Sequence, residues 1–358
     1  MNARTPEYSR RGGFLIGLLS ALSMVSSSSP AHAQTPSETF TRRLVASGLD
    51  RPQAVAQISD TSVLVAERSG RVLLLNGGVR SDLGTISLPG ARPYYVAASP
   101  YTEGLKDLIP VPGRSGEFIW CMTTGSAQAV RWTVGRGRVT ASGKVHNEVV
   151  WQSPPQAWTA SNPPPFSGCR MVLDGQDVVV ATGANSRKAA SGRIVRVPLS
   201  GSRAPQVIST GHRNPGGIVL RAGTLWEVEH GPRGGDELNV ILPGREYGWS
   251  AVSSGEPDDQ AHSSFLKSRA GATAPVFTWT PAIAPSGLTV WRDKLYVSTL
   301  QGGSVIELTV DGGRALSQRK ALDFGTRVRD VRASRDGQGL WVLTDGPGAE
   351  LYLVTPGR

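Results

Sequence analysis

The chain has little cysteine and no long apolar segment, and both features narrow the kinds of protein that it can be. Among 358 residues there are two cysteines, Cys121 and Cys169. So few exclude a disulfide-rich small fold and a cysteine-ligated zinc site. One disulfide or two separate buried thiols are both compatible with their strand-like surroundings. No apolar run reaches the ~20 residues that a membrane-spanning helix needs, so the mature chain should have no transmembrane anchor.

Blocks of basic residues are also missing, although the chain is basic. The formal net charge is +10, but the arginines are mostly isolated and no aromatic stripe alternates with them. Nucleic-acid binding depends on clustered cations that neutralise phosphates, so we expect no nucleic-acid partner. Scattered arginines are better suited to binding a small polyanion.

Residues 1–34 have the pattern of a cleavable secretory signal. Arg10 and Arg11 precede a short apolar run over residues 14–25, and Ala31-His32-Ala33 provides a cleavage site of small residues. The paired arginines raise twin-arginine export as an alternative to the general route. We expect export to the periplasm and a single mature domain over residues 35–358.

A repeated strand unit, rather than a helical period, organises the mature chain. Each unit has a short apolar strand, a polar turn with Asp or Gly, a second strand, a glycine loop and a third strand. Clear units begin at Val55, Met171, Ile218, Leu288 and Val331, and a divergent unit lies between Tyr94 and Val134. Such repeats predict an all-β fold, a six-bladed β-propeller of four-stranded antiparallel blades, with seven or five blades as alternatives.

The two ends of the mature chain are predicted to share one blade. The last unit shows only three strands, and the segment FTRRLVASGL (residues 40–49) can supply the fourth. Pairing of the N- and C-terminal strands would close the ring without a free sheet edge.

The most specific motifs lie between Gly211 and Trp249. This stretch contains an RNPGG turn from Arg213 and the loop HGPRGGDE over residues 230–237, and the chain also carries APSG at 284–287 and RVRDV at 327–331. Together these motifs resemble the soluble sugar dehydrogenases that use pyrroloquinoline quinone, the glucose/sorbosone dehydrogenase family. The resemblance implies this cofactor, a calcium ion and the oxidation of a sugar.

The resemblance assigns cofactor contacts to two pairs of residues, Arg213 with Asn214 and Arg327 with Arg329. Pyrroloquinoline quinone has three carboxylates, and the planar fork of arginine pairs with carboxylates bidentately. Arg327 and Arg329 alternate along a strand and share a face, so one anion can meet both. The alternative is that these arginines are solvated or paired with protein carboxylates.

The resemblance also assigns calcium ligands. They are the main-chain carbonyls of Gly231 and Pro232, with further contributions from Glu237 and Tyr247. Calcium takes six to eight oxygen ligands, carbonyls included, and beside a quinone oxygen it would act as a Lewis acid. The alternative is an acidic turn that only connects two strands.

Three positions depart from the family pattern where chemistry is expected. The general-base histidine is replaced by Phe166, which cannot accept a proton. The run over residues 90–95 has no counterpart of the cofactor-binding glutamine, although Arg92 adds a cation there, and Gln301 replaces a lysine. Loss of a general base typically costs about 10²- to 10⁴-fold in rate.

Few other residues could take over these roles. His230 lies in the predicted calcium loop, His212 next to Arg213 is a weak substitute for the base, and Trp279 is a candidate for stacking on a sugar or on the cofactor. His146 and His262 lie in polar segments and should be solvated.

These observations favour a periplasmic quinoprotein oxidoreductase. It would oxidise an aldose or a related sugar by hydride transfer to the quinone and pass electrons to a periplasmic acceptor. A degenerate propeller that only binds a ligand is the alternative. A calcium-dependent lactonase is a third hypothesis, which requires carboxylates that converge on the channel.

Overall fold

The computed structural model describes residues 39–86, 88, 104–126, 129–155, 168–183, 192–256 and 270–357. The predicted signal over residues 1–34 lies outside them. The described residues form strands and turns, and none belongs to a helix that could cross a membrane. In chain order the strands are β1 (Phe40–Asp50), β2 (Pro52–Gln57), β3 (Ser62–Glu67), β4 (Arg71–Asn76), β5 (Val79–Thr85), β6 (Leu105–Pro110), β7 (Glu117–Thr124), β8 (Arg131–Val139), β9 (Val145–Gln152), β10 (Gly168–Asp174), β11 (Asp177–Thr182), β12 (Arg193–Pro198), β13 (Gln206–Thr210), β14 (Pro215–Arg221), β15 (Thr224–Glu229), β16 (Asp236–Ile241), β17 (Arg245–Glu246), β18 (Phe277–Trp279), β19 (Pro285–Trp291), β20 (Lys294–Thr299), β21 (Ser304–Asp311), β22 (Arg314–Asp323), β23 (Val328–Ala333), β24 (Leu340–Thr344) and β25 (Pro347–Pro356).

The strands form six sheets, and the prediction of a six-bladed propeller is confirmed. Blade 1 contains β2–β5, blade 2 β6–β9 and blade 5 β19–β22. Blade 3 contains β10–β13 with β17 added parallel to β13, and blade 4 contains β14, β15, β16 and β18. The first strands, β2, β6, β10, β14, β19 and β23, contact one another in a closed ring around the channel.

Blade 6 joins the two ends of the described chain, as predicted. Its sheet order is β1-β25-β24-β23, and β1 pairs antiparallel with β25 from Phe40 opposite Pro356 to Asp50 opposite Pro347. Leu49 on β1 is fully buried with Leu351 on β25 and Val65 of blade 1. The closing strand therefore contributes to the core between blades 6 and 1 as well as to the sheet.

Burial decreases from the inner to the outer strands, and this explains the sequence pattern. β3 and β11 are buried at nearly every position because neighbouring blades cover both of their faces. The fourth strands β5 and β22 are mostly exposed and polar. The inner strands consequently appear in the sequence as apolar runs, whereas the fourth strands give little signal.

All six first strands carry a β-bulge at the same place. In each case the register with the second strand shifts by one residue near the start of the strand. The bulged residues are Gln53, Lys106, Cys169, Gly216, Ser286 and Arg329. A bulge leaves one residue out of the ladder and redirects its neighbours, so the six bulges place equivalent residues around the channel.

Arg170, which follows the bulge of blade 3, crosses the channel. Its guanidinium donates to the carbonyls of Gln53 and Lys106 at 3.3 Å each, and also to the carbonyl of Ser286. It lies 3.7 Å from Asp107 and 3.8 Å from Asp330, the corresponding residues of blades 2 and 6. One side chain therefore connects five of the six blades.

The two cysteines form a disulfide between blades 2 and 3. Cys121 on β7 and Cys169 on β10 are both fully buried, and their Cα atoms are 5.6 Å apart. Cys169 is the bulged residue of blade 3 and has a φ of 67°, a left-handed conformation that β-bulges usually assign to glycine. The disulfide thus fixes the turn immediately before Arg170.

Removing the guanidinium of Arg170 should destabilise the whole ring. We expect Arg170→Met to lower the free energy of unfolding by about 3–5 kcal/mol, because two buried carboxylates lose a partner. Arg314→Met, at an exposed position of β22, is the control and should be nearly neutral. Urea unfolding followed by tryptophan fluorescence measures both variants. Equal midpoints for Arg170→Met and the wild type would contradict this role.

Candidate cofactor and cation site

The predicted site residues lie at one end of the blades. Because strands alternate in direction, segments that precede a first strand lie at the same end as loops that join second and third strands. Arg213 and Asn214 precede β14, the loop over residues 230–235 joins β15 to β16, and Arg327 precedes β23. We call this end of the channel the mouth.

Arg213 and Asn214 are bonded to the 230–235 loop. The Arg213 guanidinium donates to the carbonyls of His230 at 3.3 Å and Gly231 at 3.0 Å, and it lies 5.2 Å from the ring of Trp249. The Asn214 carbonyl accepts the His230 N–H at 3.1 Å. The structure therefore brings the first predicted cofactor pair and the predicted calcium loop together.

Arg327 and Arg329 share one anion, which is the protein's own Asp345. Arg327 Nε donates to Asp345 Oδ2 at 2.7 Å, and Arg329 Nε donates to Oδ1 at 2.9 Å. Burial, with smaller effects of Arg170 and Arg327, lowers the pKa of the Arg329 guanidinium. Burial alone would raise the pKa of Asp345, but the two arginines lower it. Both arginines are thus paired with a protein carboxylate, which was the alternative to a cofactor contact.

Arginines from two blades affect the pKa of His230. Its Nε2 lies 2.8 Å from the carbonyl of Pro285. Burial lowers the pKa of His230 to about 4; Asp236 opposes this shift, whereas the nearby charges of Arg213 and Arg329 add to it. The imidazole is therefore neutral at neutral pH, and the mouth carries positive charge from blades 4 and 6.

The predicted calcium carbonyls lie in a tight turn. Asp236 Oδ1 accepts the Gly231 N–H at 2.9 Å, and a Cβ on Gly231 would lie 2.2 Å from the Gly234 carbonyl. The Gly231 carbonyl already accepts Arg213. A cation on the carbonyls of Gly231 and Pro232 would face that guanidinium, so an anionic ligand is needed between the two charges.

Glu237 belongs to a buried acidic cluster between blades 3 and 4. Glu229 pairs with Glu237 across β15 and β16, and Glu227 pairs with Asn239. The Asn239 amide donates to Glu227 at 3.1 Å, to Glu229 at 3.2 Å and to Glu237 at 3.5 Å. Burial, followed by Glu229, raises the pKa of Glu237 to about 8, and burial and Glu229 also raise the pKa of Glu227.

This acidic cluster has the donor set of a cation site. Ligand atoms of His212, Glu227 and Glu229 lie within 4.8 Å of one another. Among the described residues no donor reaches Glu227 Oε1 or Asn239 Oδ1, although both atoms are buried. Buried oxygens without a partner are costly, and a divalent cation with oxygen ligands would satisfy them.

Tyr247 lies beside the acidic cluster, but its hydroxyl is already bonded. The hydroxyl donates to the Val240 carbonyl at 2.5 Å and accepts the Leu242 N–H at 2.9 Å. Burial raises the pKa of Tyr247 to about 12. Its ring stacks on His212 with centroids 4.7 Å apart. The side chain packs against the cluster, and a cation contact would have to use its main-chain carbonyl.

The structure also shows the surroundings of several other residues that the sequence singled out. Trp279 is 4% exposed, and its indole N–H donates to Gln318 at 2.9 Å, so it is packed rather than presented to a ligand. Gln301 and His146 are exposed. Phe166, Arg92, His262 and residues 90–95 lie outside the described residues. His212 is fully buried, with Nε2 2.9 Å from the Ser209 hydroxyl.

Sequence analysis identified Glu237 but missed Glu227, Glu229 and Asn239. The signal was present, since Glu227 and Glu229 alternate on β15 and Glu237 and Asn239 alternate on β16. Alternation places each pair on one face, but the pairing of the two strands was needed to align them. Asp107 and Asp330, which lie beside Arg170 in the channel, were missed as well.

Comparison with known proteins gives the family. The model of the family described as Glucose / Sorbosone dehydrogenase matches residues 49–353. The chain belongs to the glucose/sorbosone dehydrogenase family.

Members of this family match along most of the chain. The aldose sugar dehydrogenase YliI of Escherichia coli is 30% identical over 351 residues, covering 86% of this chain and 91% of YliI. The quinoprotein glucose dehydrogenase B of Acinetobacter calcoaceticus is 23% identical, covering 93% of each chain. A crystal structure of a glucose dehydrogenase has a TM-score of 0.76 at 27% identity, covering 89% of this chain and 99% of that one.

The acidic cluster predicts how the stability of the metal-free protein depends on pH. The folded protein holds the pKa of Glu237 at about 8, against 4.5 for an ordinary glutamate. Between these values only the unfolded chain has released the proton, so stability should fall as pH rises. Glu237→Gln removes this titration, while Glu227 and Glu229 remain nearby. We expect the melting temperature in chelator to fall more steeply for wild type than for Glu237→Gln from about pH 5 to about pH 8. Parallel slopes would contradict the buried, protonated state of Glu237.

Proposed function

We propose that the protein is a pyrroloquinoline quinone-dependent oxidoreductase that oxidises an aldose or a related sugar. The observation that supports it most is that Arg213 and Arg329, from blades 4 and 6, lie at the same end of the channel, Arg213 on the carbonyls of the 230–235 loop and Arg329 on Asp345. Two fixed cations at one channel mouth suit a small anion with several carboxylates. Related proteins of this family are named aldose sugar dehydrogenase and quinoprotein glucose dehydrogenase.

The residues of the mouth fit the cofactor. Arg213, Asn214, Arg327 and Arg329 would hold its carboxylates, with Asp345 as the internal anion that a cofactor carboxylate displaces. The bound quinone would supply the acceptor for a hydride from the sugar. His230, neutral and bonded to the Pro285 carbonyl, would contribute a flat polar wall without adding charge.

Calcium fits two places in the same proposal. The carbonyls of Gly231 and Pro232 would take a cation only beside a bound anion, because Arg213 occupies the Gly231 carbonyl. The acidic cluster of Glu227, Glu229, Glu237 and Asn239 would take one independently, next to the main chain of Tyr247. The first cation would polarise the quinone, and the second would hold the start of β16.

We also propose that the protein is exported to the periplasm and that residues 35–358 form a single domain. Its substrate would be a sugar, and its electrons would pass to a periplasmic acceptor. Phe166 stands where the family pattern has its general base, so we expect slow turnover. The second candidate is a ligand-binding propeller without catalysis. It is favoured by the ion pairs of Arg327 and Arg329 with Asp345, which satisfy both arginines without a cofactor.

Reconstitution distinguishes these candidates. Purified protein is titrated with pyrroloquinoline quinone in calcium, while cofactor absorbance and sugar-dependent dye reduction are read together. Binding with turnover supports the oxidoreductase. Binding without turnover on a broad sugar panel supports a cofactor site without catalysis, and absence of binding contradicts the oxidoreductase and favours a propeller that binds another ligand.

Two substitutions test the mouth in opposite directions. Arg329→Ala should weaken cofactor binding about tenfold or more, because a charged hydrogen bond is lost. Asp345→Asn should tighten binding, since it frees Arg327 and Arg329 from their internal anion. Arg314→Ala, exposed on β22, serves as the control for a lost positive charge. Equal dissociation constants for all three variants in absorbance titrations would contradict the assignment.

The acidic cluster is tested by calcium-dependent stability. Calcium at about 100 times its dissociation constant should add about 2.7 kcal/mol to the stability of the cofactor-free protein. Glu227→Gln should abolish most of the resulting rise in melting temperature. Glu148→Gln, at an exposed position of β9, should leave the rise intact. If Glu227→Gln keeps the full calcium effect, the cluster is not the cation site.

A further inference from the structure

A cavity separate from the residues of the mouth described above opens between the outer parts of blades 4 and 5. It has a volume of about 450 Å³ and lies between β18 on one side and β21 and β22 on the other. Half-buried Phe277, Ile283 and Ile306 form its apolar walls, and the exposed side chains of Gln301 and Gln318 line its rim. We call this cavity the outer cleft.

The rim of the outer cleft offers neutral hydrogen-bonding groups. The Gln318 carbonyl oxygen accepts the Trp279 indole N–H at 2.9 Å, which fixes the amide and leaves its two N–H donors for a ligand. Among the described residues neither the Gln318 amide nitrogen nor the Gln301 amide is paired with protein. An amide presents both donors and an acceptor, a combination that matches vicinal hydroxyls.

The charges beside the outer cleft are neutralised within the protein. Arg319 donates to Glu307 through Nε at 3.0 Å, and Lys320 pairs with Asp323 at 2.8 Å. An anionic ligand would therefore find no free cation among these side chains. Apolar walls with a few neutral polar groups favour a neutral ligand that has both an apolar and a hydroxylated face. A sugar ring has both faces.

Hydrogen bonds connect the wall of the outer cleft to the loop at the mouth. The Gln301 N–H donates to the Ile283 carbonyl at 3.0 Å, and the Ile283 N–H donates to Asp236 at 2.8 Å. The other oxygen of Asp236 accepts the Gly231 N–H in the loop that contacts Arg213. The Asp236 carboxylate thus connects the wall of the outer cleft to the predicted calcium loop.

We propose that the outer cleft binds a distal ring of a neutral oligosaccharide whose reducing end lies at the mouth. The position of the reducing end rests on the proposed function, whereas binding in the cleft does not. Gln301 and Gln318 donate to and accept from the hydroxyls, and Phe277 with Ile306 contacts the C–H face of the ring. The protein then prefers oligosaccharides over monosaccharides.

Calorimetry on the cofactor-free protein tests the outer cleft without requiring catalysis. The ligands are maltotriose, cellotriose and xylotriose, each compared with its monosaccharide. At least one trisaccharide should bind about tenfold or more tightly than its monosaccharide. Equal or absent binding of all three trisaccharides would overturn the proposal, whatever the reconstitution shows.

Three variants locate the binding. Gln318→Glu keeps an acceptor for Trp279 but removes the two N–H donors, and Gln301→Ala removes an exposed amide. Each should weaken trisaccharide binding about three- to tenfold. Gln206→Ala, exposed on β13 of blade 3, should have no effect. Unchanged affinity in both cleft variants, with unchanged melting temperatures, would overturn the assignment.

Kinetics separate this inference from the proposed function. In reconstituted protein, Gln318→Glu should raise KM for the trisaccharide while leaving kcat and the monosaccharide KM unchanged. Trisaccharide binding that both cleft variants weaken, in a protein that never reduces dye, would support the cleft and contradict the oxidoreductase. An equal rise of KM for both sugars would overturn the distal position of the ring.

Discussion

The ring of six blades depends on the buried charges around Arg170. Arg170 and Arg332 face Asp107 and Asp330, so two positive and two negative side chains balance inside the channel. Each aspartate also accepts a main-chain N–H from the following blade. Asp330 accepts Val55 at 3.1 Å, and Asp107 accepts Met171 at 2.8 Å. These bonds connect blade 6 to blade 1 and blade 2 to blade 3.

The ion pairs of Asp107 and Asp330 with the two arginines also limit the chemistry that the channel can support. A lactonase-like site would need carboxylates free to bind a cation. The two channel carboxylates are instead neutralised by arginines and occupied by main-chain donors, so they are structural. The carboxylates with spare oxygens lie between blades 3 and 4, away from the channel axis. At the mouth, the Arg213 guanidinium donates to the carbonyls of His230 and Gly231.

The loop between β15 and β16 connects the mouth to the acidic cluster. Its first residues, His230 and Gly231, contact Arg213, and Glu237 at its far end belongs to the cluster. Asp236, between them, holds Gly231 on one side and Ile283 with Ala284 on the other. A cation in the cluster would favour the ionised forms of Glu227, Glu229 and Glu237 as its ligands and so rigidify the strand that carries this loop.

The sequence predicted the fold well because inner strands are buried on both faces and appear as apolar runs. It also predicted the closing strand from the missing fourth strand of the last unit. It could not predict the bulges, since one extra residue per first strand leaves no compositional mark, and the bulges are what aim Arg170 and Arg329 into the channel. Strand alternation predicted that one anion could meet Arg327 and Arg329. In the structure Arg327 precedes β23, Arg329 is the bulged residue, and the anion is Asp345, which follows β24. The outer cleft required two blades to be placed side by side.

The pairing of β1 with β25 sets an order for folding. Phe40 and Pro356 are partners although they stand at opposite ends of the described chain. During synthesis β1 has no partner until β25 has been made, and until then the core around Leu49 is incomplete. Contacts this distant in sequence form slowly, so β1 keeps an unpaired edge until β25 is made. A propeller built in this way closes only after β25 is available, and β25 is the strand that completes the ring.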